Sequence, residues 1–206
     1  MTHRLITCDQ TAPQPWHNGA GLTRELLAWP PGDGWQVRIS VAEITADGAF
    51  SVFAGVQRWL VVLQGAGLEL TIDGALHHLR LGDAALGFAG AAATHCHLLA
   101  GPTRDLNLML RGLAGGLHPV GAGRPWSPGQ PGQPGQPAAA MAGLFSAVAG
   151  ICRADGEGIA VPALALLWFE AAPPILRFEP ALPVSGSAPA PHPTGWWISA
   201  CPAASA

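Results

Sequence analysis

The stretch Leu68-Glu69-Leu70-Thr71-Ile72-Asp73-Gly74-Ala75-Leu76-His77-His78-Leu79-Arg80-Leu81 decides the fold. Leu68, Leu70 and Ile72 alternate with Glu69 and Thr71, the period-two pattern of a strand with one apolar face. Asp73-Gly74 is a two-residue hairpin signal, because both central positions of a type I′ turn need a positive φ. Ala75 to Leu81 is then the returning strand. Upstream, Gly65-Ala66-Gly67 reads as a turn and Trp59 to Gln64 as a buried strand. Downstream, Gly82-Asp83 turns the chain into Ala84 to Ala89, and strands follow at Thr94 to Ala100 and Arg104 to Arg111. Trp35 to Val41 also alternates, with Val37, Ile39 and Val41 on one face and Arg38 and Ser40 on the other.

This spacing predicts an all-β barrel or sandwich, because no amphipathic helix separates successive strands. The 20 prolines and 27 glycines leave few stretches able to hold a long helix. A first lobe is expected over residues 1–119. Residues 120–138 form a connector whose repeated Gly-Gln-Pro units read as flexible or polyproline-like. A second, degenerate lobe follows over 139–206, from apolar stretches at Met141 to Ile151, Val161 to Glu170, Ile175 to Phe178 and Trp196 to Ser199. Ala163 to Phe169 reads equally as a short buried helix.

Composition narrows the function. Charged residues are only 11% of the chain and the hydrophobic residues 49%, so disorder throughout is excluded. All ten cations are arginine, and a net charge of −3 provides no basic field for nucleic acid or anionic lipid. The N-terminus has no apolar run of a secretory signal, and the weakly polar run from Ala138 to Cys152 is shorter than the roughly 18 residues of a membrane span. Cys8, Cys96, Cys152 and Cys201 form no C-x-x-C pair and read as reduced thiols of a cytoplasmic protein.

The chemistry-bearing residues are polar groups set among apolar strands. Arg24, Arg38, Arg58, Arg104 and Arg111 recur through the first lobe, and a buried arginine needs an anion, either internal, such as Glu25, Glu43 or Asp105, or external. On the strand Arg104 to Arg111, the alternation puts Asp105, Asn107, Met109 and Arg111 on the face opposite Leu106, Leu108 and Leu110, with solvent the expected surrounding of the polar face. Trp16-His17-Asn18-Gly19-Ala20-Gly21-Leu22-Thr23-Arg24-Glu25 reads as a tight turn and lacks the ending of a phosphate-binding loop. His95 and His97 share a strand face, but Glu69, His77 and His78 have the wrong spacing to complete a cupin metal set. No metal and no cofactor are expected. No serine stands in a nucleophile setting.

Read in order, the Trp16 to Glu25 block, Trp35 to Ser40, Phe50 to Arg58 and Asp105 to Met109 resemble the signature of the HutD family. The departures are His17, where the family usually has lysine, and Ala20, within a glycine triplet. The resemblance implies a cupin-type, two-lobed fold and a link to histidine catabolism through sensing of a small acid, with formate, N-formylglutamate and urocanate as candidates. It implies a pocket formed by Asn18, Thr23, Arg24, Arg38, Arg58 and Asn107 with Trp16 and Phe53 as walls. A small-carboxylate-binding protein that catalyses nothing is the leading expectation, and a metal-independent cupin enzyme acting on a small organic acid is the alternative. The expected partner is the carboxylate itself, without nucleic acid or membrane, and a homodimer is allowed for.

Overall fold

A computed structural model describes residues 2–121, 123–128, 141–181 and 192–203, and every regular element among them is a strand. The chain divides into two compact units, Thr11–Gly112 and a second made of Met1–Gln10 with Leu113–Ala206. Strand β1 (Arg4–Thr7) therefore belongs to the second unit.

The first unit holds β2 (Gln14–Pro15), β3 (Gly21–Trp29), β4 (Val37–Ile44), β5 (Gly48–Ala49), β6 (Val56–Gln64), β7 (Leu68–Ile72), β8 (Ala75–Leu79), β9 (Leu86–Ala89), β10 (Thr94–Leu98) and β11 (Thr103–Arg111). They form a six-stranded sheet in the order β2-β3-β4-β11-β6-β9 and a four-stranded sheet in the order β5-β10-β7-β8. Strands β4 to β11 alone give the orders 4-11-6-9 and 5-10-7-8, which is the eight-stranded jelly roll of two facing sheets. Ile44, Leu60 and Val62 from one sheet meet Leu68, Leu70 and Cys96 from the other in its core.

The second unit repeats the plan with β12 (Leu113–Pro119), β13 (Pro125–Trp126), β14 (Met141–Ser146), β15 (Gly150–Ala154), β16 (Glu157–Val161), β17 (Ala165–Phe169), β18 (Leu176–Pro180) and β19 (Gly195–Pro202). The orders are β1-β17-β14-β19-β12 and β13-β18-β15-β16, so β12 to β19 form the same jelly roll with β1 added at one edge. Its core cluster is apolar, filled by Leu144, Leu167, Phe169, Cys152, Phe178 and Trp197. In that sense the second lobe is degenerate: the topology is whole, and apolar side chains fill the core between its sheets.

The hairpin that opened the sequence reading is present, with Leu70 opposite His77 and positive φ at Asp73 (46°) and Gly74 (84°). Gly67 is needed for a different reason. Its φ is +112°, and a Cβ there would lie 2.4 Å from the Leu79 carbonyl oxygen. Other boundaries differ. The residues of the expected turn from Gly21 onward form the long strand β3, and Ala165–Phe169 is a strand rather than a helix because it pairs on both sides, with β1 and β14. The expected first lobe, 1–119, carries two segments, β1 and β12, that the structure assigns to the second unit. Within the connector, residues 129–138 lie outside the described residues. Among the described residues no helix is long and apolar enough to cross a membrane.

Candidate functional site: a polar cavity in the first jelly roll

Strand alternation builds the site. In β4 the residues Arg38, Ser40, Ala42 and Ile44 point between the sheets; in β11 the same side carries Asp105, Asn107 and Met109, and in β6 Arg58, Leu60 and Val62. At one end these positions are aliphatic and close the core. At the other they are polar, and a cavity of about 400 Å³ opens there. The polar face of β11, for which solvent was the expected surrounding, is turned inward: Asp105 is 0% and Asn107 5% exposed. Cross-strand pairing enforces this, since Asn107 stands opposite Ser40 on one side and Leu60 on the other.

Arg58 is the centre of the site. It is 5% exposed, and its guanidinium carbon lies 5.0 Å from the ring centroid of Phe88, 5.2 Å from Phe50 and 5.8 Å from Phe53. Such an aromatic collar favours a cation over its ring faces. Nη2 donates to Asn107 Oδ1 at 2.9 Å, Nη1 reaches the Ser51 carbonyl oxygen only at 3.5 Å, and Nε has no hydrogen-bond partner among the described residues. Asn107 Nδ2 in turn donates to Asp105 Oδ1, and Asp105 Oδ2 is buried without a hydrogen-bond partner among the described residues. The amide is thus held with its oxygen toward the cation and its nitrogen toward the acid.

The electrostatics follow from burial. Desolvation raises the Asp105 carboxyl to about 7, against the pull of Arg58 and the Asn107 hydrogen bond. The same effect lowers Arg58 to about 10, with Asp105 opposing, so the guanidinium stays charged at neutral pH. Arg38 is differently placed: its Nε donates to Glu25 Oε2 at 2.6 Å, and its guanidinium lies 5.9 Å from the Phe53 centroid. Arg38 already has its carboxylate, whereas Arg58 meets its own only through an amide.

Of the residues expected at the pocket, Trp16, Asn18, Thr23, Arg38, Phe53, Arg58 and Asn107 line the cavity. Trp16 Nε1 donates to Thr23 Oγ1 at 2.7 Å and its ring packs edge-on against Phe50, which fixes it as a wall. Asn18 spends its amide on the Ala49 carbonyl and the Ala20 N–H, so it holds the rim of the opening together. Arg24 is not part of the cavity. It stands opposite Val41 on the other face of β3 and pairs with Glu43, which also accepts from Arg104. One residue of register separates it from the lining, because Thr23 and Glu25 take the inward direction.

Asp105, Ser40, Phe50, Ser51 and Met109 also line the cavity without having been expected there. Asp105 and Ser40 were within reach of the alternation argument, sharing a face with Asn107 and Arg38; Phe50 and Ser51 lie between strands, where no period marks direction. His95 and His97 point away from the core, with His97 Nδ1 2.5 Å from Asp47 Oδ2, while Cys96 between them is buried inside. Among the described residues no three histidine, cysteine or acidic side chains are grouped as a metal set.

Two jelly rolls in one chain, one with a cavity lined by an arginine, amide and acid, and one with a core filled by apolar side chains, define a two-lobed cupin. The family model described as HutD matches residues 9–119, more than half of the chain and including the whole cavity, and the chain belongs to the HutD family. It is 39% identical over 108 residues to an uncharacterized 21.2 kDa protein of the hutC 3′ region of Pseudomonas putida, covering 52% of this chain. That match spans 57% of the relative, little more than half its length. Among solved structures, a conserved protein of unknown function from Pseudomonas aeruginosa PAO1 superposes with a TM-score of 0.73 at 27% identity, covering 98% of this chain and 94% of that one. HutD from Pseudomonas fluorescens SBW25 gives 0.75 at 23% identity, covering 97% and 98%, which establishes likeness of fold.

Proposed function

We propose that the first jelly roll binds a small carboxylate and that the protein moderates histidine catabolism by sensing it, without catalysing a reaction. The observation that carries this is Arg58: a buried cation lining an open cavity, with Nε unspent and no carboxylate in direct contact among the described residues. A guanidinium so placed offers parallel donors to an incoming carboxylate, and the desolvated setting strengthens the pair. Histidine catabolism enters through family membership and the hutC neighbourhood of the P. putida relative. The proposal includes a cytoplasmic location and no nucleic-acid or membrane partner.

Calorimetry with formate, N-formylglutamate and urocanate tests it. At least one should bind more tightly than millimolar; Arg58→Ala should cost at least ~2 kcal/mol of binding and Arg58→Lys a smaller amount, since a point charge lacks the fork. An Arg58 that is only structural would lower the melting temperature and leave affinity unchanged. Failure of all three acids to bind would remove the proposal. One observation favours the alternative of a metal-independent enzyme acting on a small organic acid: Asp105, with a carboxyl near 7 beside the cavity, is suited to general acid or base work. Conversion of any of the three acids by the purified protein, lost in Asp105→Asn, would decide for it.

A further inference from the structure

We propose that the cavity takes up its carboxylate together with one proton, carried by Asp105, so that the ligand enters as a net-neutral acid. This deepens the carboxylate-binding reading and rests on it.

The charges at and beside the cavity pair off. Arg38 and Glu25 cancel in direct contact. Arg58 and Asp105 cancel through Asn107, whose amide bonds both. With Asp105 ionised the cavity is therefore electrically balanced, and an arriving anion leaves one negative charge in excess beside a fully buried carboxylate. Two carboxylates sharing one desolvated cation do not both stay ionised; protonating the more buried one restores neutrality. Asp105 is that one, at 0% exposure, and its Oδ2 is a buried atom with no hydrogen-bond partner among the described residues, free to carry the hydrogen. The step is an addition: a solvent proton binds Asp105 as the ligand carboxylate docks on Arg58, and no covalent bond within the ligand changes. Burial already holds the Asp105 carboxyl near neutrality before any ligand arrives.

Arg58 and Cys96, both coupled to Asp105, do not take the proton over this range. Arg58 from β6 stays charged, and Cys96, from β10 of the facing sheet, has a thiol pushed up to about 12 by burial and remains neutral. Glu25 is held in its ion pair with Arg38. His17 at the cavity opening is the competing titratable group, and it is separable by mutation.

Affinity should be flat below about pH 7 and should fall about tenfold per pH unit above it, until the raised pKa of the complex is passed. The measurement is calorimetry of formate, N-formylglutamate and urocanate from pH 6 to pH 9, in pairs of buffers with different ionisation enthalpies. Uptake approaching one proton per bound ligand is expected at the upper end. Asp105→Asn should abolish both slope and uptake and bind more tightly than wild type at pH 9, whereas His17→Asn should keep the slope. Binding without slope or uptake overturns this inference and leaves the carboxylate reading standing, and so does a slope that survives in Asp105→Asn. Absence of binding by all three acids at every pH overturns both. Should Asp105→Asn not fold, the wild-type Asp105 ¹³Cγ resonance serves instead. Its midpoint should rise on saturation with the bound acid, and an unmoved midpoint overturns the inference.

Discussion

The face of the strand decides the fate of two arginines, Arg58 on β6 and Arg24 on β3. Arg58 points between the sheets and is buried among three phenyl rings; Arg24 points to the other face of its sheet, with its side chain 23% exposed, against Glu43. Arg24→Ala should therefore leave ligand affinity unchanged in calorimetry. Its stability cost should stay under about 1 kcal/mol in urea unfolding, because the pair is partly solvated and Arg104 still holds Glu43. A tenfold loss of affinity in that variant would place Arg24 at the site after all. Asp105 yields a second residue-scale expectation, on stability. Its carboxyl is raised from 3.8 to about 7 on folding, so the folded state holds the proton more tightly than the unfolded chain. Its contribution is complete below about pH 4, is lost as pH rises toward 7, and is constant above that. The stability of wild type relative to Asp105→Asn should decline across pH 4 to 7 by up to a few kcal/mol. A pH-independent difference would mean that Asp105 is not the buried titrating group. At this scale the sequence identified residue types and, where alternation was unbroken, as along Arg104 to Arg111, which residues share a face, but not that the polar face turns inward.

At the scale of the strand, β6, β7, β10 and β11 were legible because apolar and polar residues alternate or run unbroken between glycine turns. β3 was not, for two physical reasons. Gly19 and Gly21 at its start look like turn residues, and a register shift between Glu25 and Leu27 breaks the period. The membership of β1 was equally hidden, since it is set by pairing with β17 some 160 residues away, from Arg4 opposite Trp168 to Thr7 opposite Ala165. Pairing across that separation leaves no local pattern. β17 is buried along its whole length, and β1 satisfies one of its two edges. Removing residues 1–8 should expose that edge and destabilise the second unit by roughly 2 kcal/mol, the scale of other losses of buried contacts and hydrogen bonds. The emission of Trp168, Trp196 and Trp197 followed through urea unfolding checks this. An unmoved midpoint would show that β1 adds little to the sheet.

Across the molecule, one strand order is used twice with opposite fillings, and the difference lies at a few inward positions. Where β6 and β11 turn Arg58 and Asn107 into the space between the sheets, β14 and β19 turn Leu144 and Trp197. Trp126 stacks on Trp197 at 5.1 Å between centroids and 2° between planes, so the indole pair stands where a second cavity would be. The repeated topology was only partly readable, because the apolar runs after residue 139 carry no alternation when both faces are buried, and β14 is buried at all six positions. The two tryptophan walls should then behave oppositely. Trp197→Ala should leave a void that close-packed neighbours cannot refill and cost about 3–5 kcal/mol of stability, with carboxylate affinity unchanged. Trp16, partly exposed at the cavity and held by Thr23 and Phe50, should on change to Ala weaken the bound acid by more than threefold while costing less stability than Trp197→Ala. Urea unfolding and calorimetry on both variants give the comparison. If Trp197→Ala weakened the ligand as much as Trp16→Ala did, the assignment of binding to the hollow jelly roll alone would be wrong.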